Sequence, residues 1–168
     1  MYQIGQLVLY GSTGVCRVEE VREQASPGTG ERRLYYILRP LYEDCVISAP
    51  VDSDKVFIRP IITKDEAEQI IRDMPKVEIT VYQSRVPKEL TEHYETILKH
   101  YDCIALVGLT KSIYANKISL QEQKRKFGTV DERFLKRAEN LLYGELAAAL
   151  EIPRDQVQDY IESTLAAV

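Results

Sequence analysis

The chain has 168 residues, of which 45% are hydrophobic and 29% charged, and its formal net charge at pH 7 is −4. These values are typical of a soluble globular protein with one large domain or two small ones, and they argue against intrinsic disorder. No apolar run approaches the ~18 residues that a membrane span needs, and the N-terminal residues lack the pattern of a signal peptide. We therefore expect a cytoplasmic protein with no membrane partner.

The first sixty residues have the pattern of short β-strands. Five runs are rich in Val, Ile, Leu and Tyr and are separated by turn clusters such as GSTG and ASPGTGE: QLVLY, VCRVEEV, RLYYILRP, CVISAP and VFIRP. A flat sheet of this size would expose two edges, so the pattern predicts a small, nearly closed antiparallel barrel of the Tudor-like or SH3-like type. We place this domain at residues 1–62.

Helical patterns begin at residue 63 and predict a second domain over residues 63–168. Thr63 and Glu66 have the spacing of a capping box ahead of a helix at about 64–74. The following segment, about 75–88, contains Pro75 and Pro87, and we interpret it as a linker. The predicted architecture is α+β with two domains, a five-stranded barrel followed by a compact helical bundle.

The rest of the second domain contains four more predicted helices. The first has a single apolar stripe (Leu90, Tyr94, Ile97, Leu98 and Tyr101), and the next covers about 102–115. A long helix is predicted from about residue 130, with Thr129 as its N-cap and Glu132 as the capping-box partner. A short helix ends the chain.

Basic residues are concentrated between Lys111 and Arg137. This stretch has eight basic and three acidic residues, a local charge of +5 that leaves −9 for the rest of the chain. Clustered cations of this kind are what phosphate neutralisation requires, although a solvated helix face would have a similar composition. The candidate DNA-binding residues are Lys111, Lys117, Lys124, Arg125, Lys126, Arg133, Lys136 and Arg137.

No catalytic, cofactor-binding or metal-binding pattern emerges from the sequence. His100 and Cys103 have a spacing that can ligate zinc, but two ligands do not complete a tetrahedral site. We interpret the three cysteines, Cys16, Cys45 and Cys103, as buried thiols. We therefore expect a protein that is not an enzyme, with no cofactor, no metal and no small-molecule substrate.

Three stretches resemble the CarD/CdnL family of bacterial transcription regulators. They are IGQLVLYGSTGVCRVEEV, YYILRP with VISAPVD, and DERFLKRAENLLYGELAAAL, in which LLYGELA is the most recognisable portion. The resemblance implies a barrel that binds the RNA polymerase β subunit. It also implies a helical domain that contacts promoter DNA, weakly and without sequence specificity, at the upstream edge of the transcription bubble and stabilises the open complex.

Alignment with that family also implies specific contact residues. The polymerase-binding positions fall on Gln24, Val46 and Ser48, and Gln24 and Ser48 replace basic residues found elsewhere in the family. The position of the family's tryptophan wedge falls on Leu90, in a chain that has no tryptophan. Leu90 also begins an apolar stripe, so it is either a DNA wedge or a core residue. A polymerase-binding module, or another Tudor-like interaction module, without significant DNA binding remains the alternative.

Overall fold

The structure is a computed structural model and describes residues 1–167. The chain divides into two compact units, Met1–Ile62 and Thr63–Val168. The first unit is a five-stranded antiparallel sheet and the second is built from five helices. The predicted α+β fold class is thereby confirmed. Within the described residues, no helix is both long and apolar enough to cross a membrane.

All five runs predicted as strands form strands in the N-terminal unit: β1 (Leu7–Tyr10), β2 (Gly14–Ala25), β3 (Arg32–Pro40), β4 (Ile47–Pro50) and β5 (Ile58–Pro60). Their order in the sheet is β4-β3-β2-β1-β5, and every neighbouring pair is antiparallel. Alternate side chains of the strands bury one core, formed by Val8, Cys16, Val18, Tyr36, Leu38 and Ala49.

Tyr2 links the two halves of this sheet. Its backbone N–H donates to the Tyr36 hydroxyl on β3 at 2.9 Å, and its own hydroxyl donates to the Ile58 carbonyl on β5 at 3.3 Å. The rings of Tyr2 and Tyr36 lie 5.6 Å apart. These contacts join β3 to β5, two strands that do not pair, and so hold the sheet in a curved, barrel-like form.

The C-terminal unit contains α1 (Lys64–Asp73), α2 (Pro87–Leu98), α3 (Cys103–Glu122), α4 (Thr129–Leu150) and α5 (Val157–Ala166). The capping box of α1 is confirmed, because the Thr63 hydroxyl accepts from Glu66 N–H and the Glu66 carboxylate accepts from Thr63 N–H. The long helix α4 packs against the other four helices. Its small and apolar side chains, such as Ala138, Leu142 and Leu146, form the centre of the core.

Two helix ends differ from the prediction. Helix α3 extends to Glu122, well beyond the predicted end at 115. The capping box predicted for α4 is wrong, because the N-cap is Gly128 and Thr129 is already the first helical residue. The carboxylate of Asp131, in the first turn, lies beside Gly128 and supplies the negative charge that a helix N-terminus favours.

The segment from 77 to 86, expected to be part of a linker, lies along α3 within the helical unit. Thr80 N–H donates to the Ser112 hydroxyl at 3.3 Å, and Gln83 Nε2 donates to Asn116 Oδ1 at 2.6 Å. Gly108 packs beside Val77, because a Cβ on Gly108 would be in ordinary van der Waals contact with the Val77 side chain at 3.6 Å. We call residues 77–86 the α3-bound segment.

The cysteines divide into two kinds. Cys16 and Cys103 are buried as predicted, and the Cys103 thiol donates to Glu145 Oε1 at 3.2 Å. Cys45 is exposed, contrary to the prediction, because it precedes β4 and does not enter the core.

Candidate functional site

Strand β4 is an edge of the sheet. It pairs with β3 from Tyr35 to Leu38, and within residues 1–167 its other side carries no strand. Val46, just before the strand, is 52% exposed, and Ser48 is exposed at its centre. An exposed edge of this kind presents main-chain N–H and C=O groups to a strand of a partner protein.

The expected contact residues Gln24 and Ser48 lie on one face of the sheet. Gln24 pairs with Arg33, Ser48 pairs with Ile37, and residues 33 and 37 of β3 share a face because side chains alternate. The strand spacings put them roughly 16 Å apart. They would therefore contact a partner at two separate points of a single surface.

Two cations that sequence reasoning missed flank Gln24 on this face. Arg22 lies two residues before Gln24 on β2, and Arg33 lies directly opposite it on β3. Each forms a salt bridge, Arg22 with Glu20 at 2.8 Å and Arg33 with Asp52 at 2.7 Å. The hydrogen bond from Arg33 also holds the pKa of the Asp52 carboxyl below its ordinary value. Alternation along β2 already places Arg22 on the face of Gln24, but only the register of β2 against β3 reveals that Arg33 lies there too.

The N-terminal unit has the architecture of a Tudor-like interaction domain, a small curved sheet of five antiparallel strands with an accessible edge. Residues 2–62 match the family model of the CarD-like/TRCF RID domain. Over these residues the chain is similar to this family of RNA polymerase-interacting domains, and the resemblance inferred from the sequence is confirmed there. No curated protein matches the chain.

In the helical unit, Lys111 is used internally. Its ammonium group donates to the carbonyls of Met74 at 2.8 Å and Val77 at 2.7 Å, and its side chain is partly buried. These bonds satisfy the carbonyl of Val77, the first residue of the α3-bound segment, and that of Met74, three residues before it. Two of the three N–H donors of Lys111 are therefore used within the helical unit, and a phosphate contact of Lys111 stays a prediction.

Three more of these cations lie against aromatic rings. The ammonium group of Lys117 is 5.5 Å from the centre of the Phe127 ring. The guanidinium groups of Arg133 and Arg137 are 5.1 and 5.0 Å from the centre of the Phe134 ring. Arg133 and Arg137 are four residues apart and occupy one face of α4. Such contacts position a cation without neutralising its charge.

The remaining four cations, Lys124, Arg125, Lys126 and Lys136, are exposed and form no salt bridge with the described residues. Lys124 has a φ of 56° and stands just past the end of α3. Its N–H donates to the Gln121 carbonyl and the next N–H, of Arg125, donates to the Leu120 carbonyl, which is the Schellman pattern. This turn brings Arg125 and Lys126 to one side of a groove in the helical unit.

Leu90 is a core residue in this structure. It lies on α2 together with Tyr94 and Leu98, and its side chain is only 7% exposed. A wedge must project beyond the surface to enter a base step. The burial of Leu90 therefore contradicts the wedge interpretation and supports the core interpretation of the same residue.

Proposed function

We propose that this protein is a non-enzymatic transcription regulator that docks on the β subunit of RNA polymerase through the face and edge around β4. The match of residues 2–62 to a polymerase-interacting domain carries this proposal. Main-chain pairing at the β4 edge supplies affinity that does not depend on charge at positions 24 and 48. Arg22 and Arg33 place guanidinium groups on the surface that Gln24 and Ser48 leave neutral, and each is paired with a carboxylate there.

The helical unit contacts promoter DNA at the upstream edge of the transcription bubble. The side chains of Lys124, Arg125 and Lys126 support this part of the proposal, because they are exposed and form no salt bridge within residues 1–167. A protein that binds opened DNA more tightly than duplex DNA shifts the equilibrium toward the opened state by its difference in affinity. Binding of this kind would stabilise the open complex without any chemical step.

Polymerase docking is tested by titrating the isolated β-subunit lobe with two fragments of the chain. The fragment 1–62 should bind and the fragment 63–168 should not. In the full chain, Arg33→Ala should weaken binding. Arg32→Ala is the matched control, because Arg32 precedes Arg33 on β3 and projects from the opposite face. Binding carried by the helical fragment alone would overturn the assignment.

The DNA contact is tested with a forked promoter fragment and the triple change Lys124→Glu, Arg125→Glu and Lys126→Glu. If about three phosphates are neutralised, log K against log salt has a slope of about −2 to −3 for the natural chain and a flatter slope for the variant. The control carries the same charge change at Lys64, Arg72 and Lys99, which are exposed residues of the same unit. Equal slopes for the natural chain and the triple variant at residues 124–126 would exclude this surface as the DNA contact.

A second candidate function is polymerase binding without DNA contact. The internal use of Lys111, the burial of Leu90 and the net charge of −4 favour it. The two candidates differ in one observable, which is whether the protein binds a promoter fork in the absence of polymerase.

A further inference from the structure

A groove of about 500 Å³ lies within the helical unit, between the α3-bound segment, α2, α3 and the start of α4. Its volume falls in the range of roughly 300–1,000 Å³ that is typical of small-ligand sites. Gln83 and Ser84 line one side, and Leu90 and Leu120 contribute apolar surface. Residues from four separate elements thus converge on one concave site.

Two buried polar side chains, Asn116 and Asp131, lie at this groove with hydrogen-bonding capacity left over. Asn116 is 4% exposed, and its Oδ1 accepts from Gln83 Nε2 at 2.6 Å. Asp131 is 6% exposed, and its Oδ1 accepts from the Tyr94 hydroxyl. No protein partner in residues 1–167 binds the amide nitrogen of Asn116 or Oδ2 of Asp131.

Neither of these unpartnered atoms is fully enclosed by the protein. Every fully enclosed side-chain nitrogen or oxygen of the described residues has a hydrogen-bond partner, so an atom without one is not fully enclosed. Asn116 and Asp131 both line the groove. The groove therefore presents an N–H donor and a carboxylate acceptor from side chains that are otherwise nine-tenths buried.

The rim of the groove has the opposite charge from Asp131. Arg85, Arg125 and Lys126 are exposed, line the groove and form no salt bridge with the described residues. A simple anion is disfavoured beside the Asp131 carboxylate, and a metal cation is disfavoured by the three cations. The ligand that fits is neutral and polar at one end, where it both donates and accepts, and anionic at the other.

We propose that this groove binds an unpaired nucleotide, with the Watson–Crick edge of the base at Asn116 and Asp131 and the phosphate at the cationic rim. The edge of a base carries donors and acceptors side by side, and apolar side chains such as Leu90 and Leu120 suit its faces. A paired base cannot enter, because its edge is occupied by its partner. The inference rests on the proposed DNA contact and gives it a reason to prefer opened DNA.

The test measures binding of the full chain to three DNAs by fluorescence anisotropy: a forked duplex, the same fork with abasic sites in its single-stranded arm, and a blunt duplex. The two forks have equal numbers of phosphates and differ only in bases. We expect the natural chain to bind the fork about tenfold more tightly than the abasic fork, as expected for one bound base. Asn116→Leu should remove this preference and leave the affinity for the abasic fork unchanged.

Two further variants keep the test decisive. Lys126→Gln should weaken binding to both forks by the same factor, because it touches phosphate alone. Leu120→Phe fills the groove from a half-exposed position and replaces Asn116→Leu if that variant does not fold. Equal affinity of the natural chain for the two forks would overturn the inference while leaving the DNA contact intact.

The source of the nucleotide is resolved by titrating the natural chain with deoxynucleoside monophosphates and following the Asn116 side-chain amide by NMR. Amide shifts at Asn116 without binding to any of the DNAs would assign the groove to a free nucleotide and would refute the proposed DNA contact. Absence of binding to every DNA and every mononucleotide would reject both proposals.

Discussion

The hydroxyl of Tyr94, on α2, donates a hydrogen bond to Oδ1 of Asp131, in the first turn of α4. Both side chains are buried, at 3% and 6% exposure, and they are 37 residues apart in the chain. Burial, followed by the bond to Asp131, raises the pKa of the Tyr94 phenol above its ordinary value, so the neutral donor is retained. This bond fixes the helix that carries Leu90 against the helix that carries Asp131, and so shapes the groove between them.

Tyr94→Phe should lower the free energy of unfolding by about 1–3 kcal/mol, because it leaves a buried carboxylate oxygen without its donor. Urea unfolding followed by circular dichroism measures this difference. Tyr160→Phe is the control, since the Tyr160 hydroxyl bonds at 3.3 Å to the half-buried Glu68, where water can replace it. A loss no larger than that of the control would show that the Tyr94 bond contributes little.

Leu90→Ala should lower the free energy of unfolding by about 2–5 kcal/mol, as is usual when a buried leucine is truncated. The control is Ile104→Ala. The Ile104 side chain is 40% exposed, so this change should lower the free energy of unfolding far less. Thermal unfolding of both variants provides the measurement. An unchanged melting temperature for Leu90→Ala, combined with a shorter lifetime of the open promoter complex, would restore the wedge interpretation.

Lys111→Met should loosen the α3-bound segment without flattening the salt dependence of DNA binding. The change removes both donors to the Met74 and Val77 carbonyls and retains an apolar stem of similar length. Limited proteolysis should then cleave faster between residues 77 and 86. Lys136→Met, at an exposed cation, should not alter proteolysis. A flatter salt dependence of DNA binding in Lys111→Met would mean that Lys111 contacts phosphate after all.

Lys124→Gly should stabilise the helical unit by about 0.5–1 kcal/mol. Lys124 adopts the left-handed conformation with φ of 56°, which has a steric cost for every residue that carries a Cβ. Lys124→Ala loses the same charge but keeps the Cβ, so it separates the two effects and should not stabilise. Denaturant unfolding of the three proteins compares them, and equal stability of the Gly and Ala variants would contradict this explanation.

The stability of the N-terminal unit should fall at alkaline pH because of Cys16. Burial raises the pKa of its thiol from 9.0 to about 12, with smaller contributions from Cys45 and Glu43. The unfolded chain releases this proton at lower pH than the folded chain, so the stabilisation is complete below about pH 9 and is lost as the pH rises toward 12.

Cys16→Ala should therefore lose less stability than the natural chain between pH 8 and pH 11, which unfolding titrations of the fragment 1–62 would measure. Cys45→Ala removes an exposed thiol that makes only a smaller contribution to the raised pKa of Cys16, so its pH profile should stay close to that of the natural chain. Parallel pH profiles for all three proteins would show that Cys16 does not titrate differently in the two states.

Features that depend on neighbouring residues were determined by the sequence alone. The five strand runs formed five strands, and Thr63 with Glu66 formed the predicted capping box, because alternation and capping involve residues a few positions apart. Where two neighbouring residues can each serve as the N-cap of a helix, the sequence is less decisive. At the start of α4 it favoured Thr129 as the N-cap, whereas the helix begins one residue earlier and Asp131 supplies the favourable charge.

Only the tertiary structure decided which residues meet at the candidate sites. The register of β2 on β3 places Arg33 opposite Gln24, and the packing of α3 on its bound segment makes Lys111 a donor to carbonyls. At the groove, a hydrogen bond joins Gln83 to Asn116, 33 residues apart in the chain. Another joins Tyr94 to Asp131, 37 residues apart. No periodicity encodes such distant pairs, because they follow from how completed helices pack against one another.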